Sequence, residues 1–341
     1  GDRALLDFPN VTNQHEERQG VLQKLQGQPV SLIKAVQSVN LTLGENEVLG
    51  IAGESGCGKS TTCLMIAGML QPSAGEIYFS GKRVDQLLTS EQAWYRRQVQ
   101  MIFQDPYESL NPRFRVLETV AEGPRALKLW PEKEILERSV DMLASVGLPP
   151  VKYAERYPHE LSGGERQRVG IASALVMEPR MVVADEPLSM LDVSIRAGIL
   201  DLLKDLASKR HFSCVYVSHD LSILGHIADR LMIMYLGQAV EMGPTWEVIR
   251  NPQHPYTRAL INAVPVPDPR VTRPVPTIRG EVSRPINPPP GCRFSPRCPH
   301  ATTVCQQAFL QLQPDENKPH QTACVRLEEL NQTNQLAEAS P

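Results

Sequence analysis

Residues 53–60 read Gly53-Glu54-Ser55-Gly56-Cys57-Gly58-Lys59-Ser60, a match to the pattern Gly-x-x-x-x-Gly-Lys-Ser/Thr. No other stretch constrains the surrounding fold as strongly. Its glycines let backbone N–H groups close around phosphate oxygens without interference from a Cβ. A buried strand has to lead into such a loop and a helix has to leave it. Residues 48–52 read as that strand and 59–70 as that helix, its N-terminus aimed at the loop. In this arrangement Lys59 reaches the outer phosphates of a nucleotide, the Ser60 hydroxyl ligates Mg²⁺, and Thr61 bonds an inner phosphate oxygen. A chance glycine-rich turn would not bring the flanking strand and helix with it.

About a hundred residues later comes Leu161-Ser162-Gly163-Gly164-Glu165, ahead of a helix expected over 165–177. A helix N-terminus carries unpaired N–H groups and a partial positive charge, which makes it a second site for phosphate. The apolar strand at 181–184 runs into Asp185 and Glu186. A lone Asp-Glu pair usually lies in a solvated loop. After a buried strand it fits a Mg²⁺ partner, Asp185, and a base that orients and polarises an attacking water, Glu186.

The remaining chain alternates apolar runs with helical patterns. Strands are expected at 75–80, 99–103 and 213–217, and a hairpin at 231–235 and 238–241 around Gly237. Helices are expected at 116–148, where Ile135, Val140, Leu143 and Val146 share a face, and at 194–209. Strands alternating with helices imply an α/β fold with a mostly parallel sheet. Composition shifts near residue 252. Thirteen prolines fall between Pro252 and Pro299, Pro288-Pro289-Pro290 among them, and this reads as an irregular appended segment without regular helix.

The 341 residues carry a net charge of −3, so no bulk basic field points to nucleic acid. There is no apolar run of 18 residues and no leader pattern, so the expected location is cytosolic, with any membrane role exercised by docking. Cys57, Cys63 and Cys214 are scattered, whereas Cys292, Cys298, Cys305 and Cys324 crowd into 33 residues. In a cytosolic chain such a cluster is more often metal-binding than disulfide-forming. Its intervals of five, six and eighteen residues match neither a zinc C-x-x-C pair nor the common ferredoxin spacings.

The glycine loop and the Leu-Ser-Gly-Gly-Glu stretch, in that order and at that distance, resemble the ATP-binding cassette (ABC) family. The resemblance implies the ABC ATPase fold, with an antiparallel β subdomain and a helical subdomain. Residues 1–251 would form the nucleotide-binding domain, with the helical subdomain at about 105–178. Residues 252–327 would form an extension and 328–341 a polar tail. It implies that Gln104 contacts Mg²⁺ and the attacking water, and that His219, in Val217-Ser218-His219-Asp220, is the switch histidine at the γ-phosphate. Residues 161–165 become the signature that faces the nucleotide of an opposite chain. Ser189-Met190-Leu191-Asp192 becomes the D-loop, with Leu188 and Met190 departing from the commonest residues, Thr and Ala. The family stacks adenine on an aromatic ring upstream of the glycine loop. Here 10–52 hold no Phe, Tyr or Trp, and Gln14, His15 or Phe8 are the candidates.

Three further stretches resemble the oligopeptide/dipeptide importer ATPases. They are Val99–Pro112 with its Gln104-Asp105-Pro106-Tyr107-Glu108 core, His254-Pro255-Tyr256-Thr257-Arg258-Ala259-Leu260, and Gly291-Cys292-Arg293-Phe294-Ser295-Pro296-Arg297-Cys298-Pro299. The resemblance implies a motor subunit on the cytoplasmic face of the membrane. It would be paired with a second ATPase, mounted under two membrane permeases, and fed by an extracytoplasmic binding protein. Peptides are the expected substrate, with glutathione and nickel-chelates as alternatives inside the branch. For the four cysteines it implies a 4Fe–4S cluster acting as a structural staple, with zinc or unligated thiols as alternatives. A soluble ABC protein acting on nucleic acid or ribosomes usually carries two cassettes or a long coiled coil. Neither pattern is present here. A redox regulator built on the ATPase fold is a third reading.

Overall fold

The computed structural model describes residues 4–16, 31–105, 109–264, 286–288, 290–312 and 318–331. The expected core segment at 106–108, the proline-rich stretch 265–285 and the tail from 332 lie outside the described residues. Among the described residues the central sheet has seven strands. β3 (Val48–Ala52), β6 (Val99–Ile102), β7 (Met181–Asp185), β8 (Ser213–Val217) and β9 (Arg230–Tyr235) run parallel in the order β9-β3-β8-β7-β6. β10 (Gln238–Pro244) and β11 (Gln321–Thr322) extend it antiparallel beyond β9. A second, antiparallel sheet is built from β1 (Leu6–Glu16), β2 (Leu32–Leu43), β4 (Tyr78–Phe79) and β5 (Lys82–Arg83), in the order β2-β1-β4-β5.

The parallel strands are buried on both faces, which is why they read as unbroken apolar runs. Alternate residues go to opposite layers. Met181, Val183, Val215 and Val217 join the core beneath the antiparallel sheet, with Phe8, Leu41 and Phe79. Val182, Ala184, Cys214 and Tyr216 join the core beneath the helices, with Val120, Leu143 and Leu175.

The hairpin at Gly237 forms as expected, with Gln238 opposite Tyr235 and both turn residues, Leu236 and Gly237, at positive φ, the geometry of a type I′ turn. Other expectations change. The helix at 116–148 is two helices, Val116–Ala126 and Glu132–Ser145, parted by Lys128 at φ 51° and by Pro131, which caps the second. The helix at 59–70 stops at Ile66, and the strand at 75–80 shrinks to Tyr78–Phe79. β1 and β2, for which no strand was expected, form a bulged antiparallel pair. Its register shifts at three places, and Asn10 and Ser38 take positive φ, so inward residues do not keep a period of two.

The stretch after 252 is not without helix. Pro255–Asn262 is helical, with proline in the first turn, where its missing N–H costs nothing. His254 caps it. Burial holds that imidazole down to about 4, so its Nδ1 is free to accept the Tyr256 N–H at 3.1 Å. The later segment is tied in rather than appended. β11 pairs with β10, Asn40 Nδ2 donates to Leu312 O at 2.9 Å, and Tyr256 and Phe294 are fully buried in the main core.

Glu241 anchors this junction. It is completely buried and accepts from the N–H groups of Gln253 (2.8 Å) and His254 (2.9 Å). His320 Nε2 stands 2.7 Å from it, with Nδ1 3.3 Å from Glu247. Burial alone would lower the His320 pKa, but Glu241 and then Glu247 outweigh it, and the pKa is raised. A histidine raised on folding contributes stability below its unfolded pKa and loses it as pH climbs through the folded value. His320→Gln is therefore expected to cost about 2 kcal/mol at pH 6 and to flatten the fall in melting temperature between neutral and mildly alkaline pH. Thermal unfolding across that range checks it.

Candidate active site

Four neighbouring parallel strands deliver the expected residues to one edge of the sheet. The glycine loop leaves β3, Gln104 follows β6, Glu186 follows β7 and His219 follows β8. The carboxyl ends of adjacent parallel strands are where open α/β sheets hold ligands. The loop is closed tightly. Gly58 has φ 101°, and a Cβ there would lie 2.3 Å from the carbonyl oxygen of Ala35, so only glycine fits. Ser55 and Gly56 are exposed at the apex, while Gly53 and Cys57 are buried, and burial pushes the Cys57 thiol up. Ser60 and Thr61 open the helix Lys59–Ile66.

Lys59 is buried, and its Nζ donates to Gly53 O at 2.9 Å and Glu54 O at 3.2 Å. It also stands 3.7 Å from Glu186 Oε1. Glu186 sits at φ 44°, a left-handed conformation that costs a residue with a side chain about 1–3 kcal/mol. Its N–H donates to Val217 O at 3.0 Å, and its carbonyl accepts from the N–H and hydroxyl of Ser189 at 3.1 and 3.0 Å. These bonds hold the carboxylate between Lys59 on one oxygen and His219 Nδ1, 3.1 Å from the other.

Asp185 is buried beside Ser60. Burial chiefly raises its pKa, and the hydrogen bond from the Ser60 hydroxyl opposes that. Its Oδ1 is buried with no hydrogen-bond partner. An orphaned carboxylate oxygen next to a hydroxyl is the kind of donor set a hard divalent cation satisfies. Ser60, Gln104 and Asp185 line one cleft of about 630 Å³, which Phe103 and Met190 also border.

The signature stretch lies elsewhere. Its helix begins at Gly163 rather than at 165. Leu161 is buried, and Ser162 caps the helix: its Oγ accepts the Glu165 N–H at 3.3 Å, while Glu165 Oε2 accepts the Ser162 N–H at 2.8 Å. Gly163 and Gly164 pack against Leu191 and Ile195, so this helix leans on the segment carrying Ser189 and Asp192. Asp192 is exposed at the start of helix Val193–Arg210. Among the described residues no hydrogen bond or ion pair joins 161–165 to 53–61.

Some partners gave no sequence signal. Tyr153 OH donates to Glu165 Oε1 at 2.7 Å, and this bond, with the Ser162 N–H, holds the Glu165 carboxyl below its usual range. Tyr256 OH accepts the Glu54 N–H at 3.0 Å. Of the adenine candidates, Phe8 is fully buried in the core and is unavailable for stacking, whereas Gln14 and His15 are exposed on β1. Cys292, Cys298, Cys305 and Cys324 all line one small cavity of about 20 Å³. Among the described residues no three His, Cys, Asp or Glu side chains converge closely enough to hold a single metal ion. Nor, among the described residues, is any helix long and apolar enough to cross a membrane.

Residues 36–189 match the family described as ABC transporter, and residues 240–305 match the oligopeptide/dipeptide transporter C-terminal region. The chain is 42% identical over 333 residues to the oligopeptide transport ATP-binding protein OppF of Escherichia coli (strain K12), covering 97% of this chain and 98% of that protein. The chain belongs to the ATP-binding subunits of oligopeptide ABC transporters. OppF of Salmonella typhimurium is 44% identical to this chain over 307 residues, 89% of this chain and 91% of that protein. A dimeric post-hydrolysis structure of the ATP-binding cassette MJ0796, bound to ADP and Pi, is 28% identical, with a TM-score of 0.61. It covers 70% of this chain and 98% of its own. The cassette fold is thus the ABC ATPase fold.

Gly58→Ala tests the closed loop of this cassette. The added Cβ meets backbone in a left-handed residue, so the variant is expected to lose about 2 kcal/mol of stability. It is also expected to lose most of its affinity for a fluorescent ATP analogue in equilibrium titration.

Proposed function

We propose that the cleft at the ends of β3, β6, β7 and β8 is half of an ATP site, and that the chain is the ATP-hydrolysing motor of a peptide importer. The convergence of Lys59, Asp185, Glu186 and His219 on one sheet edge carries this reading. Gly53 to Thr61 would bind the phosphates, with Lys59 turning its Nζ from the Gly53 and Glu54 carbonyls to phosphate oxygens. Ser60, Gln104 and Asp185 would hold Mg²⁺, which draws charge from the phosphate oxygens when bound. Glu186 would take the proton of the attacking water, and His219 would steady that carboxylate and contact the γ-phosphate. Phosphoryl transfer asks mainly for positioning and charge stabilisation, and these groups supply both.

The separation of 161–165 from the loop supports a two-chain site. Leu161, Ser162, Gly163, Gly164 and Glu165 would complete the ATP site of a second ATPase subunit, with Ser189 and Asp192 at the shared interface. A solved relative, the dimeric cassette MJ0796, favours this arrangement. ATP closure of the pair would drive two membrane permeases, with an extracytoplasmic binding protein delivering substrate. The chain would sit at the cytoplasmic face of the membrane. Residues 1–251 serve as the cassette and 252–327 as the extension in this reading. Glu186→Gln is expected to slow hydrolysis by at least about a hundredfold and to trap an ATP-bound closed dimer on gel filtration. Normal turnover in that variant would sink the assignment.

We further propose that the extension holds a 4Fe–4S cluster. Cys292, Cys298, Cys305 and Cys324 line one space, and such a cluster takes one thiolate on each of four irons. Burial pushes Cys292 up to about 12 and also raises Cys298 and Cys324. These thiols therefore stay protonated unless a cationic centre compensates them. Anaerobically purified protein is expected to contain about four irons and four acid-labile sulfides per chain. In Cys298→Ser, iron and the visible absorption band should disappear together.

A further inference from the structure

The segment that carries Cys292 and Cys298 also carries two arginines: Arg297 reaches the phosphate loop directly, and Arg293 reaches the turn beside it. Arg297 is about nine-tenths buried. Its NH1 donates to Glu54 Oε2 at 2.8 Å and its NH2 to Glu54 Oε1 at 3.3 Å, a two-pronged grip on a residue 243 positions away. NH1 also donates to Tyr235 OH at 3.3 Å, while Nε is buried with no partner. Glu54 is the only carboxylate paired with this guanidinium among the described residues. The same residue is held a second time through its N–H by Tyr256 OH. Phe294 wedges beneath, with ring centres 5.2 Å from Tyr235 and 5.4 Å from Tyr256.

Arg293, almost wholly buried, holds the other end of the loop indirectly. Its guanidinium donates to Lys34 O at 3.0 Å, and to Leu236 O and Gln37 Oε1. These bonds set the β9–β10 turn, whose Gly237 N–H donates to Cys57 O at 2.7 Å. The loop is therefore clamped at Glu54 by Arg297 and at Cys57 through Arg293. The carbonyl of Glu54 is one of the two that accept from Lys59. A shift of Glu54 consequently moves both the backbone that cradles phosphate and the lysine that must reach it.

We propose that Arg297 and Arg293 are positioning residues for ATP binding, through which the cysteine-bearing segment sets the shape of the phosphate loop. The inference rests on the loop binding ATP. Coupling of this kind is reciprocal: ATP at the loop must in turn order residues 292–298. Removing a charge-assisted, two-pronged hydrogen bond from a partly buried site weakens binding at the loop it positions by about tenfold.

The test uses the full chain in a Glu186→Gln background, so that ATP is not turned over. Titration with a fluorescent ATP analogue is expected to show about tenfold weaker binding for Arg297→Gln. Arg297→Lys should recover only part of that affinity, because an ammonium lacks the fork. Glu54→Gln approaches the same ion pair from the loop side and leaves the extension unchanged, so it serves if Arg297→Gln folds poorly. The double variant should bind no worse than the weaker single, since both remove one interaction. Hydrogen exchange at saturating ATP should slow over 292–298 in the parent and not in Arg297→Gln. Parent-like affinity in both single variants, or effects that add in the double variant, would overturn the inference. A parent that itself fails to bind the analogue would instead overturn the ATP-site reading.

Discussion

The site depends on a loop with no spare room. At Gly58 the backbone of β2 comes so close that a Cβ would strike Ala35 O at 2.3 Å. That closeness requires three things in place together: β2 from the antiparallel sheet, β3 feeding the loop, and the β9–β10 turn, whose Gly237 bonds Cys57 O. The antiparallel sheet is therefore more than a cover for the parallel one. Its edge forms a wall of the glycine loop, and the shared core of Phe8, Leu41, Ile51 and Met234 holds wall and loop in register.

Charge at the site is arranged against burial. Lys59, Asp185 and Glu186 are drawn from water into a small volume, where isolated charges are costly. Lys59 offsets this with two carbonyls and a carboxylate. Asp185 does so only partly, through Ser60, which leaves one oxygen unsatisfied and the carboxyl raised. Glu186 adds backbone strain at φ 44°. Polar groups left incompletely paired and a residue held off its preferred conformation mark a site organised around something it binds. Stability elsewhere comes from strands buried on both faces.

The extension shares that core rather than standing apart. Tyr235 belongs to β9, Tyr256 to the helix after the proline boundary and Phe294 to the cysteine segment, yet the three rings pack on one another. Glu241 of β10 and His320 of the late chain are bound across the same junction. The cysteine segment thus has a short, packed route to the glycine loop, through Tyr235, Tyr256 and Glu54.

Much of the candidate site's placement was legible in the amino-acid sequence. The glycine loop, the apolar strand ending in Asp185-Glu186 and the hairpin at Gly237 are local: their chemistry and their backbone demands fall within a few consecutive residues. Buried parallel strands likewise announce themselves as apolar runs, so β3, β7 and β8 were placed to within a residue. The bulged β1–β2 hairpin, the break at 127–131 and the helix at Pro255–Asn262 were not legible, because bulges, caps and packing override the pattern that marks a regular element. Nor was the grip of Arg297 on Glu54, or of Tyr153 on Glu165, since nothing in a sequence says which distant side chain will be folded against a loop. The sequence by itself determined the family and the residues available to the candidate site. Only the tertiary structure decided which of them meet, because that depends on contacts between segments hundreds of residues apart whose partners are chosen by packing.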